Sequence, residues 1–170
     1  MASSLSDLVV LEADLARADH AQATLQLMNA YAADPMGAGC PLEAEVARTL
    51  VPWLMRHPTT QVFLAFGNGE PVGIAVCFIG FSTFAARLLL NISDYYVAPA
   101  LRGRGVGRLL MQKVEAKARQ LRCCKLTLEV QEHNDRALTV YTRAGFTRSV
   151  HAEAAGRALF LVKMLREEPR

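Results

Sequence analysis

The residues best suited to chemistry lie in one run: Val97-Ala98-Pro99-Ala100-Leu101-Arg102-Gly103-Arg104-Gly105-Val106-Gly107-Arg108. Three glycines at alternate positions let a ligand approach the backbone closely. They precede a strongly amphipathic stretch, so they sit at the start of a helix. Free N–H groups and the helix dipole make such a start an anion site. Arg102, Arg104 and Arg108 add positive charge, and a phosphate or pyrophosphate is the natural occupant. A P-loop would place Lys after the last glycine, where this chain has Arg108. A dinucleotide fingerprint would need GxGxxG after the first strand, and Gly103, Gly105 and Gly107 have neither that spacing nor that position. The four cysteines, at 40, 77, 123 and 124, form no CxxC, and no histidine spacing completes a zinc pattern. They read as small buried hydrophobes in a reducing compartment, with no metal.

Arg102-x-x-Gly105-x-Gly107 resembles the acetyl-CoA signature of the GNAT family of N-acetyltransferases. A second stretch, Asn134-Asp135-Arg136-Ala137, Tyr141 and Gly145-Phe146, resembles the family's later motif at the family's spacing. The resemblance covers nearly the whole chain. It implies one N-acetyltransferase domain over residues 1–170 with an α/β (α+β) GNAT fold. In that fold a mixed, mostly antiparallel sheet is splayed between two parallel strands and flanked by helices. It implies acetyl-CoA as co-substrate and a homodimer, beside the cytoplasmic location and absence of a metal expected from the cysteines. The backbone amides from Arg102 through Gly103, Arg104, Gly105, Val106 and Gly107 to Arg108 would hold the CoA pyrophosphate. Tyr95, Tyr96 and Val97 would pair their backbone with the pantetheine arm, as an added strand does. Asn134 would hydrogen-bond the arm, cap a helix, or do both.

Tyr141 matches the family's general acid beside the CoA sulfur. A free tyrosine has a pKa of ~10 and a thiol ~8.5, so full proton donation is uphill by about 2 kcal/mol. Hydrogen bonding to the departing thiolate is the main contribution expected of Tyr141. The attacking amine must be neutral, whereas a lysine-like amine is about 99.9% protonated at pH 7. A carboxylate, direct or through water, would take that proton. The segment from Phe81 to Val97 is similar to the diamine acetyltransferase branch, which carries Glu-Asp where this chain has Ser93-Asp94. Ser93 cannot act as a base; Asp94 is a candidate, although alternation puts it on the opposite face from Ser93, and a water chain draining toward solvent is the alternative. The family resemblance puts acceptor specificity in the N-terminal part, where Asp34, Glu43 and Glu45 would face the acceptor. Residues 1–60 hold seven acids and three bases. That balance favours a cationic amine: a polyamine, a lysine side chain, an aminoglycoside or a protein N-terminus.

These residues need a scaffold. Apolar alternation predicts strands at 8–13, 61–66, 72–81, 88–97 and 125–130. The two at 61–66 and 72–81 are joined by the hairpin signal Asn68-Gly69. Helical spacing predicts helices at 15–33, 42–56, 105–122 and 134–143, the second despite Pro52. Residues Thr147–His151 and Leu159–Met164 read as a final strand pair. Trp53 and the phenylalanines read as core. The chain has 170 residues, of which 52% are hydrophobic and 21% charged, so a packed core is expected and a disordered chain is excluded. No uncharged apolar run reaches ~18 residues, and no basic-then-apolar leader opens the chain, so neither a membrane partner nor secretion is expected. Residues 61–170 carry nine acids and sixteen bases. That excess suits an anionic ligand, and the arginines gather at the glycine run rather than along an aromatic-studded face, which speaks against nucleic acid. A catalytically silent CoA-binding module on the same fold is the remaining alternative.

Overall fold

The computed structural model describes residues 7–147 and 161–164. Among these residues five strands form one sheet in sequence order: β1 Leu8–Glu12, β2 Thr60–Gly67, β3 Glu70–Ser82, β4 Arg87–Val97 and β5 Leu126–Leu128. All neighbours are antiparallel except β4 and β5. The helices are α1 Ala18–Ala33, α2 Ala44–Arg56, α3 Val106–Gln120 and α4 Asp135–Arg143, with one short 3-10 turn at Pro99–Leu101. Asn68 and Gly69 both have positive φ, 52° and 82°, the backbone needed by a two-residue hairpin whose twist matches its strands.

The sheet is covered on both faces. On one, α3 lays Val106, Leu110 and Val114 against Phe63, Ala75, Cys77 and Leu90. On the other, α1 and α2 bring Leu27 and Leu54 against Leu64, Ile74 and Val76. Consecutive residues such as Phe63 and Leu64 face opposite cores, as a strand buried on both sides requires.

Three expectations need correction. Trp53 is 65% exposed, and Phe81 and Phe84 are exposed as well; α2 turns Val51 and Leu54 inward instead. Only Cys77 is buried, while Cys40 is exposed and Cys123 and Cys124 are half-buried. β5 is three residues long rather than six, because it leaves β4 after Leu128. The expected final strand pair lies outside the described residues, apart from Thr147 and the exposed Leu161–Met164, which carry no regular structure. Among the described residues no helix is long and apolar enough to cross a membrane.

Candidate active site

The parallel pairing of β4 and β5 runs only from Leu90–Leu126 to Ile92–Leu128. β4 then continues to Val97, and among the described residues no strand pairs with its β5-facing edge beyond Ile92. A β-bulge marks the parting. Val76 pairs with Asp94 and the next residue, Cys77, pairs with Ile92, so Ser93 is the extra residue. The bulge changes which face each later side chain takes. Leu90 and Ile92 pack in the α3 core, and so do Tyr95 and Val97 beyond the bulge. Tyr96 packs with α1, and so does Val76, the cross-strand partner of Asp94.

A cavity of about 870 Å³ opens where the strands separate. Its floor is Ser93, Tyr95, Tyr96 and Val97. One end is formed by Arg102, Gly103, Gly105, Gly107 and Arg108, and the far wall by Asn134, Ala137 and Tyr141 of the α4 segment. Gly103 and Gly105 have φ of 77° and 89°, the left-handed region that a side chain disfavours. A Cβ added at either would meet nothing within 4 Å, so their backbone faces open space. Gly105 is the N-cap of α3, and the amides that follow it open the helix without intrahelical acceptors. The Tyr95 hydroxyl donates to the Gly107 carbonyl and ties the strand to this first turn.

Arg102 does not extend toward the open space. Its Nε donates to the Val97 carbonyl at 2.8 Å and its Nη2 to Oδ2 of Asp34 at 2.6 Å. The guanidinium lies 5.6 Å from the centre of the Tyr96 ring. Asp34 lines the cavity too, with its carboxyl held below the ordinary range by the Met36 N–H and by Arg102.

Tyr141 stands edge-on to Tyr95, ring centres 5.9 Å apart, and packs on Phe146 at 5.8 Å. Burial, with a smaller effect from Tyr31, pushes its phenol up to about 12. Asn134 caps α4, its Oδ1 accepting the Ala137 N–H at 3.1 Å, and it also lines the cavity.

This constellation can be set beside known proteins. The sequence profile described as Acetyltransferase (GNAT) family matches residues 25–146. This chain belongs to that family. An uncharacterised N-acetyltransferase of Methanocaldococcus jannaschii is 35% identical over 103 residues, 59% of this chain and 45% of that protein. The thialysine N-epsilon-acetyltransferase of Bos taurus is 33% identical over 90 residues, 50% of this chain and 52% of that one. The chain thus spans about half the length of these curated relatives. The crystal structure of a probable acetyltransferase has the same fold, with a TM-score of 0.77 at 19% identity, covering 94% of this chain and 99% of that one.

Some of the residues anticipated for the GNAT site stand elsewhere. Arg104, Val106 and Asp94 do not line the cavity, although Arg104 and Val106 lend their backbone to the loop that ends it. Asp94 is half-buried, and burial raises its carboxyl above the ordinary value. Glu43 is the N-cap of α2 and Glu45 pairs with Arg48 on the surface; neither reaches the cavity. Both are exposed to solvent at the start of α2. The sequence reading missed Tyr31, Met36 and Glu129, which do line it. Tyr31 packs 5.8 Å from Tyr96, and its phenol is raised by burial, then by Asp94 and Asp34. In sequence Tyr31 is one apolar position of a helix, and Glu129 lies inside the alternation of Leu126, Leu128 and Val130, so neither stood out.

Among the described residues no group of three or more metal-ligating side chains is present.

Proposed function

We propose that this protein moves an acetyl group from acetyl-CoA to a primary amine by direct attack within a ternary complex. One observation carries this: the unpaired edge of β4, the open glycine backbone and Tyr141 all border a single cavity. The amides from Gly103 to Arg108 would take the pyrophosphate, helped by the Arg108 guanidinium. The edge from Ser93 to Val97 would pair with the pantetheine arm. Its carbonyl at Val97 already accepts from Arg102, so the amides are the more available partners. Asn134 would hydrogen-bond the arm from the opposite wall. A β4 amide would polarise the acetyl carbonyl, as an oxyanion hole does.

The amine lone pair would attack the thioester carbon, the C–S bond would break, and CoA would leave as the thiolate, which takes a proton from water afterwards. Tyr141 would hydrogen-bond the sulfur as charge builds on it. Two carboxylates are candidates for the amine proton. Glu129 lines the cavity directly, whereas Asp94 would act through Tyr31 or water. The pH–rate profiles of Glu129→Gln and Asp94→Asn tell them apart: the variant that loses the acid limb of the profile identifies the base.

The acceptor side is walled by Tyr31, Met36 and Tyr96, and the acid beside them, Asp34, is already paired with Arg102. An amine on an uncharged or amino-acid-like body suits this wall better than a polyamine. The thialysine N-epsilon-acetyltransferase relative supports a side-chain amine. A homodimer, on family resemblance, and a cytoplasmic location, on cysteine usage, complete the reading.

The test is calorimetric titration with acetyl-CoA, then thiol release against a panel of amines. The panel would hold lysine and thialysine, N-terminal peptides, diamines, spermidine and aminoglycosides. Saturable acetyl-CoA binding and turnover with one amine class are expected. Absence of acetyl-CoA binding would overturn the proposal.

A further inference from the structure

We infer that Asp34 is a positioning residue for the glycine loop: with Arg102 it forms a latch that ties the α1–α2 loop to the 102–107 loop. The part of this inference that concerns acetyl-CoA rests on the function proposed above; the latch itself does not.

Asp34 spends every polar atom it has on this junction. Its backbone N–H donates to the Tyr31 carbonyl at 3.0 Å, and its own carbonyl accepts the Gly37 N–H at 2.8 Å. Oδ1 accepts the Met36 N–H at 2.9 Å, which leaves Oδ2 for the Arg102 guanidinium at 2.6 Å. The loop is wound too tightly for adjustment. A Cβ at Gly37 would lie 2.1 Å from the Tyr31 carbonyl oxygen, and the Ala38 N–H is fixed to the Ala32 carbonyl. The Asp34 side chain is only 7% exposed and its position is set by backbone on both sides.

Arg102 meets this fixed carboxylate from 68 residues away in sequence. Its Nε holds the end of β4 at Val97, and its plane covers Tyr96. Three contacts therefore aim the first residue of the glycine loop, before two left-handed glycines that cannot aim themselves. The planar fork of an arginine suits this double duty, carbonyl on one nitrogen and carboxylate on another, in a way lysine does not. It follows that the arginine of the motif positions the loop rather than contacting phosphate. It also follows that Asp34 does not serve as an ammonium ligand. Coupling of this kind runs both ways, so contacts made at the α1–α2 loop and at the glycine loop influence each other.

The test uses the full chain, with Asp34→Asn, Arg102→Gln and the double variant. Amide hydrogen exchange is measured first without ligand. Faster exchange at Gly103–Arg108 in each single variant, with no further increase in the double, is the expected result. Unchanged exchange there in Asp34→Asn, or effects that add in the double, would overturn the latch. This readout needs no acetyl-CoA, so a wild-type chain that fails to bind it would overturn the proposed function and leave the latch to be judged by exchange. Where acetyl-CoA binds, Asp34→Asn should raise its Kd and KM on the order of tenfold, and Asp34→Glu should recover part of that. A loss confined to kcat at unchanged KM, as from a smaller folded fraction, would count against it. Should Asp34→Asn fail to fold, Arg102→Lys, which keeps the charge and loses the fork, decides by the same exchange measurement.

Discussion

Burial sets what Tyr141 can contribute. With its phenol at about 12, a thiolate of pKa ~8.5 receives its proton only at a cost of about 5 kcal/mol. Hydrogen bonding therefore dominates, and Tyr141→Phe should lower kcat by about tenfold, below the ~10²–10⁴ of full general acid catalysis. Stopped thiol-release assays check this, with acetyl-CoA affinity expected to stay unchanged. Asp94 makes a pH prediction. Burial raises its carboxyl, so the folded chain holds that proton more tightly than the unfolded one. The stability it contributes is complete below the ordinary carboxylate value and is lost as pH rises through the raised one. Asp94→Asn escapes that loss, so thermal melts should show it more stable than wild type at pH ~8, with the gap closing toward pH ~4. At this scale the sequence displayed the motif residues Arg102, Asn134 and Tyr141 because their types and spacing are local. It could not display the partner of Arg102, since Asp34 comes from a separate element.

At the scale of elements, glycine and cap positions carry the consequences. Gly37→Ala must push a methyl into the Tyr31 carbonyl, and should cost about 1–3 kcal/mol, seen as a lower midpoint in urea. Asn134 separates two roles by chemistry. Asn134→Ala removes the cap on α4 and should cost ~1 kcal/mol, whereas Asn134→Ser keeps the cap and loses the amide reach. Weakened acetyl-CoA binding in the serine variant at near-native stability would mark a ligand contact, and unchanged binding would leave only the cap. The strands and helices were legible because their signals are periodic, and the β2–β3 turn because Asn-Gly admits two positive φ angles. Trp53 was misread for a physical reason. A short helix with hydrophobics at several phases does not declare which stripe faces inward; Val51 and Leu54 are the residues it buries, Leu54 against α1 and the sheet. The early end of β5 is not legible because alternation continues past the point where its partner departs.

For the whole molecule, the proposed ligand adds a bridge between parts that already touch: Tyr95 meets the first turn of α3 at the Gly107 carbonyl and α4 at Tyr141. The β4 edge, the start of α3 and the α4 wall enclose one cavity. Acetyl-CoA at a hundred times its Kd should then add about 2.7 kcal/mol to stability, raising Tm by roughly 5–11 °C in a fluorescence melt. Coenzyme A lacking the acetyl group should give most of that rise, because the backbone contacts lie along the arm and phosphates. The charge asymmetry of the chain, by contrast, told little about the site. Its N-terminal acids are spread over surface pairs such as Arg17–Asp19 and Arg48–Glu45, and only Asp34 reaches the cavity. The extra residue in β4 has a last consequence. Because side chains alternate with a period of two, β4 is written in two frames that meet at Ser93. Deleting Ser93 would remove the bulge and keep the pairing: Ile92 would still oppose Cys77 and Asp94 would still oppose Val76. Tyr95 would stay in the α3 core and Tyr96 on the α1 side, because alternation would then run unbroken from Leu90 to Val97. An inserted or deleted residue anywhere else between Leu90 and Val97 would have no such slack to absorb it. The same bulge that bends β4 away from β5 is thus the one place where the strand tolerates a change of length without exchanging the two walls of the cavity.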